Sequence, residues 1–140
     1  MNYKIIDHTA DFAVEFQGNS VSELFENSTV SLSEIIYDRK IDEMQDYSIE
    51  LVFSNESIEI NYIDFLREIL FNINQNYYFF YKCDAAFLSE TVLSIKCFYS
   101  QQQIEDIKHE IKAVTYHECG IKNKLIKSQK KYFAKVTFDI

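Results

Sequence analysis

The sequence predicts an α+β domain, two helices packed against a mainly antiparallel β-sheet. Apolar residues recur at helical spacing in two stretches, around residues 20–37 and 57–76. Elsewhere, short runs rich in Val, Ile, Tyr and Phe alternate with polar positions, which suits half-buried strands. Proline is absent and glycine occurs twice. Turns therefore fall to Asn, Asp and Ser, which tolerate left-handed conformations and bond their own backbone.

The elements follow in order. Tyr3 to Ile6 and Phe12 to Phe16 read as strands separated by Asp7-His8-Thr9-Ala10-Asp11. Asn19 or Ser20 can cap the first helix, with Glu23 placed for a capping box. Val21, Leu24, Phe25, Ser28, Leu32, Ile35 and Ile36 form its apolar stripe, and it should end near Tyr37-Asp38-Arg39. A strand is expected from Tyr47 to Phe53, where Ile49, Leu51 and Phe53 alternate with polar neighbours. The second helix runs from about Ser57 to Asn76 and buries Tyr62, Ile63, Leu66, Ile69, Leu70 and Ile73. Tyr77-Tyr78-Phe79-Phe80-Tyr81 then turns into an aromatic strand. It reads as a buried strand, not as a base-stacking platform, because no basic residue interleaves it. Ala86 to Tyr99 is the next strand. Glu110 to Cys119, Lys122 to Ile126 and Tyr132 to Phe138 complete a strand-rich final third.

At 140 residues, with 47% hydrophobic residues, no repeats and no linker, the chain fits one domain spanning 1–140. No run of about 18 apolar residues suggests a membrane span. A basic-then-apolar leader is missing, so secretion is not expected. Cys83, Cys97 and Cys119 lack CxxC spacing and read as small buried hydrophobes in a reducing cytoplasm. Charge is unevenly spread: residues 1–106 hold 6 Lys/Arg against 19 Asp/Glu, whereas residues 107–140 hold 8 Lys against 3 acids. A chain with net charge −8 lacks the basic footprint of a bulk RNA binder. The lysines at 122, 124, 127, 130 and 131 read mainly as a solvated hairpin, with approach to a phosphate or acidic partner as the sharper alternative.

The two ends carry the candidate chemistry. The chain stops on Thr137-Phe138-Asp139-Ile140, which sets the Asp139 side chain beside the Ile140 main-chain carboxylate. Asp7 and Asp11 offer two more carboxylates near the start. Oxygen donors of this kind suit hard cations such as Ca²⁺ and Mg²⁺. The plainer reading of Asp7 and Asp11 is local capping of a turn. Neither helices nor strands here carry a GxSxG, P-loop, HExxH or glycine-rich phosphate cradle. His117-x-Cys119 is not a zinc pattern, and His8 and His117 read as structural support for their segments. Lys112, within Ile111-Lys112-Ala113-Val114, faces either solvent or a site.

Asp7-His8-Thr9-Ala10-Asp11, Glu110-Ile111-Lys112-Ala113-Val114-Thr115-Tyr116-His117 and a final Phe138-Asp139-Ile140 together resemble the archease family across the whole chain. The stretch from Gly18 to Leu32 resembles that family's first helix. These proteins assist the tRNA-splicing RNA ligase, which joins cyclic-phosphate RNA ends to 5′-hydroxyl ends. The resemblance implies an activator, not an enzyme, that speeds guanylylation of the ligase and keeps it turning over. It implies a metal site at Asp11, Asp139 and the carboxylate of Ile140, taking calcium first, with magnesium or manganese as alternatives. It implies a functional lysine at Lys112, with Asp7, His8, Thr9, Thr115 and His117 supporting. RNA and GTP would then be met only through the ligase. Two rival classes remain open on the residues alone: a stand-alone metal-dependent phosphoryl or nucleotide hydrolase, and a general chaperone-like binding module.

Overall fold

The computed structural model describes residues 2–7, 12–41, 43–115 and 120–140. Strands β1 (Tyr3–Asp7) and β2 (Phe12–Gly18) precede helix α1 (Val21–Tyr37). Strand β3 (Tyr47–Ser54), helix α2 (Ile58–Asn76), and strands β4 (Tyr78–Phe87) and β5 (Val92–Gln101) follow. After a 3-10 turn at Ile104–Asp106 come β6 (Ala113–Val114), β7 (Ile121–Ile126) and β8 (Gln129–Asp139). The α+β class with two helices and antiparallel pairing holds, but the strands divide into two sheets. One has the order β1-β2-β8, with β6 and β7 both on the far edge of β8; the other has the order β3-β5-β4.

Helix α1 joins the two sheets. Ser20 caps it, its hydroxyl accepting from the Glu23 N–H at 3.0 Å, while Glu23 Oε1 accepts from the Asn19 N–H at 3.2 Å. The reciprocal bond of the expected capping box thus reaches one residue further out. On its buried side, Ser33 Oγ accepts the Phe80 N–H at 2.9 Å and Glu26 Oε2 accepts the Ala85 N–H at 2.9 Å. Both donors belong to β4, an edge strand, so α1 side chains cover an edge that would otherwise present open N–H groups. Burial pushes the Glu26 carboxyl above its usual range, partly offset by that bond from Ala85. Helix α2 is capped by Ser57 and tied to α1 by a 2.6 Å bond between Ser28 Oγ and Tyr62 Oη. Tyr62 and Phe87 meet the Phe25 ring edge-on and Phe65 meets it tilted, with ring centroids 5.0–6.0 Å from that of Phe25. Cys83 and Cys97 lie buried opposite each other on β4 and β5.

Two expected strands are corrected. Ala86 belongs to β4, not to the start of the next strand, because pairing of β4 with β5 continues through Phe87↔Leu93. In the segment read as a strand from Glu110, ladder pairing is confined to Ala113 and Val114 among the described residues. The backbone before it bonds elsewhere: the N–H groups of Lys108 and His109 both reach the Ile36 carbonyl at 2.9 Å, and Ile111 O accepts from Asn74 Nδ2 at 2.8 Å. The open Ile36 carbonyl at the end of α1 thus holds Lys108 and His109, the Asn74 side chain holds Ile111, and the chain meets β8 only from Lys112 onward.

Left-handed backbone falls at Asp38, Tyr77, Lys127 and Ser128. Asp38 and Tyr77 end the two helices, their N–H groups returning to Glu34 O and Ile73 O. Lys127 and Ser128 form the two-residue turn between β7 and β8, with φ of 52° and 66°. Two positive φ values define the turn type that Asn-Gly satisfies best. Lys127→Asn combined with Ser128→Gly should therefore stabilise the fold by about 1 kcal/mol, since side chains at left-handed positions cost about 1–2 kcal/mol each. Thermal unfolding should show a rise of about 3 °C. A fall would mean the native side chains make contacts that outweigh the strain.

Candidate metal and partner site at the end of the last strand

The end of β1 and the start of β2 both lie at the Asp139 end of β8. Phe12 registers with Phe138, and Asp7 with Phe12, so both flanks of the segment 8–11 sit at the Asp139 end of β8. On the other edge of β8, Ala113 registers with Asp139 and Val114 with Phe138. The Lys112 N–H donates to the Asp139 carbonyl at 2.7 Å. Thr115 donates twice to the Thr137 carbonyl, from N at 2.9 Å and from Oγ1 at 2.6 Å. His8, Thr9, Asp11, His117 and Cys119, with the side chain of Asp7, lie outside the described residues.

Alternation along β8 sends neighbouring side chains to opposite faces. Ala134, Val136 and Phe138 are buried in the core, so Asp139 has the parity of the outer face. Asp139 is exposed. The next residue, Ile140, turns the other way and lines a cavity of about 440 Å³ with Tyr3, Ile5, Phe12 and Ile35. Ile140 itself stays 65% exposed at the edge of these apolar walls. Charged groups rim the same cavity: Glu34, Asp38, Lys108, His109 and Glu110. His109 Nε2 stands 3.7 Å from Asp38 Oδ2 across its mouth. Burial raises the Glu34 carboxyl, with Lys40 pulling the other way.

The Lys112 side chain is exposed and lines a separate cleft of about 530 Å³ with Asn74, Tyr77, Ile104, Lys108 and Glu110. Its backbone is thus fixed to Asp139 while its ammonium stands on the α2 side. No ion pair joins Lys112 to Asp139 among the described residues. Anchoring of this segment comes from three elements: Ile36 of α1, Asn74 of α2 and Asp139 of β8. Lys108 and His109 were not singled out from the sequence, because their place beside this cavity depends on that loop folding back over α1. Among the described residues no group of three His, Cys, Asp or Glu side chains is placed to hold a metal. Asp139 and the Ile140 carboxylate supply oxygen only, which fits a hard divalent cation.

The arrangement is that of a small two-sheet α+β protein in which the end of β1, the start of β2 and the short strand β6 gather at the end of β8. Residues 3–140 match the Archease protein family (MTH1598/TM1083). The chain is 31% identical over 145 residues to the protein archease of Archaeoglobus fulgidus, covering all of both chains. It therefore belongs to the archease family. Protein 1598 of Methanobacterium thermoautotrophicum has the same fold, with a TM-score of 0.75 at 22% identity over 99% of each chain. An archease of Thermotoga maritima, described as a possible chaperone, superposes with a TM-score of 0.58 at 22% identity, over 98% of this chain and 96% of its own.

Proposed function

We propose that this protein activates the tRNA-splicing RNA ligase, promoting guanylylation of that enzyme and its repeated turnover without itself catalysing the joining. In this reading Asp11, Asp139 and the Ile140 carboxylate hold a divalent cation, calcium first, and Lys112 meets the partner. The observation that carries it is the β8 register. Both flanks of the 8–11 segment and the backbone of Lys112 attach to the last residues of β8. A bound cation would supply positive charge at an otherwise anionic corner; the residues themselves present and orient the donors. Three oxygen donors are fewer than the roughly 6–8 that Ca²⁺ takes, so positions remain for water or a partner's group. No helix among the described residues is long and apolar enough to cross a membrane.

The test is joining of a cyclic-phosphate RNA end to a 5′-hydroxyl end with RNA in excess over ligase. Many rounds per ligase with this protein, against about one without it, support the reading; equal turnover overturns it. The description of the Thermotoga relative favours, as a second reading, a chaperone that acts on proteins generally. Rescue of unrelated unfolded proteins would distinguish it.

The Ile140 assignment has its own check. Residues appended after Ile140 convert its carboxylate to a neutral amide carbonyl and must leave from the cavity that its side chain lines. Ligand charge tunes affinity at such sites. A C-terminal tag should weaken both Ca²⁺ binding and ligase activation by about tenfold or more, corresponding to about 1.4 kcal/mol. An N-terminal tag should have little effect. Equal activity for both would remove Ile140 from the site.

A further inference from the structure

The turn end of the β7–β8 hairpin runs past the end of β2, whose pairing with β8 stops at Tyr132, and the charge of these two strands is opposite to that of the rest of the molecule. From Gly120 to Phe138 the chain carries six lysines and no Asp or Glu. The residues preceding 107 carry a balance of −13. Lys122, Lys124, Lys127 and Lys130 are exposed, and Leu125 beside them is 74% exposed. The register distributes these charges around the ribbon. Lys122, Lys124 and Lys131 share one face with Phe133, whereas Lys130 shares the other with Tyr132 and Leu125, and Lys127 forms the tip. Lys124 Nζ lies 4.5 Å from the Phe133 ring centroid and Lys130 Nζ lies 5.7 Å from that of Tyr132.

One feature is costly for a free protein. Lys124 and Lys131 are directly opposed across the ladder. Like charges in that position destabilise a strand pair, and no acid on the ribbon offsets them. An anion bridging the two ammonium groups would relieve that cost.

We propose that the β7–β8 ribbon binds the phosphodiester backbone of a single-stranded nucleic acid. Lysines on both faces and the tip suit a flexible polyanion that wraps the ribbon; a folded acidic protein would engage one face. Compact ammonium groups on long stems suit a phosphate backbone, and Lys124 and Lys130 are held in place over the half-buried rings of Phe133 and Tyr132 at the base of the turn end. The acidic remainder of the chain repels the same ligand, which confines contact to the ribbon and makes it weak and salt-sensitive. This inference stands apart from the ligase reading, since the ribbon's contact is the chain's own.

The experiment is fluorescence anisotropy of a short, unstructured, labelled RNA with the full chain and no ligase, across about 50 to 200 mM salt. Wild type should bind with a salt slope near −3, since each phosphate neutralised on a single strand contributes about −0.7. The triple variant Lys122→Gln, Lys124→Gln, Lys131→Gln should bind at least about tenfold more weakly and lose about 2 from that slope. Arginine at the same three positions should retain binding, which separates lost charge from lost fold. Lys131→Glu should raise the melting temperature while weakening RNA, because it turns the opposed pair into an attractive one. Absence of RNA binding at low salt overturns the proposal. So does a polyglutamate competitor that displaces RNA at equal charge concentration, which would assign the ribbon to an acidic protein.

Discussion

Asp139→Ala should abolish activation of the ligase and remove cation binding while leaving the protein folded. The side chain is exposed at the outer face of the last β8 residue, so its truncation should change stability by no more than about 0.5 kcal/mol. Its backbone carbonyl still accepts from Lys112 N–H, because that bond does not involve the side chain. The Ala113 and Val114 pairs of β6 therefore persist. Loss of function with an unchanged fold is the signature of a ligand site, not of a structural residue. Calorimetric titration with Ca²⁺ and thermal unfolding on the same preparation read the two effects. Wild-type calcium affinity in the variant would remove Asp139 from the site, and a large fall in melting temperature would make its role structural.

Gly18→Ala should be the most damaging small change in the body of the protein. A Cβ at Gly18 would stand 2.5 Å from Leu24 N and 2.8 Å from Glu23 C, both backbone atoms of the first turn of α1. Backbone cannot yield as a flexible side chain does, so β2 and α1 must separate. Overpacking of this kind costs on the order of 3 kcal/mol, or about 10 °C in melting temperature for a chain of this size. Leu24 and Phe25, both fully buried, follow directly after the clash and would be displaced with the turn. Gly120→Ala is the control, since among the described residues its Cβ would meet only the Lys122 Cε at 3.9 Å. Equal melting temperatures for the two variants would show that α1 can shift at little cost.

Local signals were the most legible part of this fold. Ser20 and Ser57 cap the two helices because a hydroxyl followed by an apolar stripe is a complete local instruction. Burial of Phe79 and Phe80 follows from an aromatic run without charges. Division into two sheets was not legible, because alternation marks which face is buried and does not say which strand lies beside which. The end of β4 was misplaced for a related reason. Asp84, Ala85 and Ala86 are weak strand formers, held in the ladder by pairing with β5 and, at Ala85, by Glu26 of α1. Tyr77 ends α2 in a left-handed conformation that residue type alone would assign to Asn76. At the candidate site the motif residues stood out by their order along the chain. Lys108 and His109 did not, since Ile36 and Asn74 position that loop from distant helices.

Transfer of labelled guanylate from GTP to the purified ligase, with and without this protein, tests most directly whether the proposed activator works on the ligase and not on RNA ends or nucleotide alone. Labelling of the ligase should be faster and more complete when the wild-type chain is present, Asp139→Ala should give no stimulation, and this chain alone should show no steady consumption of GTP. Labelling of the ligase at the same rate with and without the protein, or sustained GTP hydrolysis in the absence of ligase, would contradict the proposal.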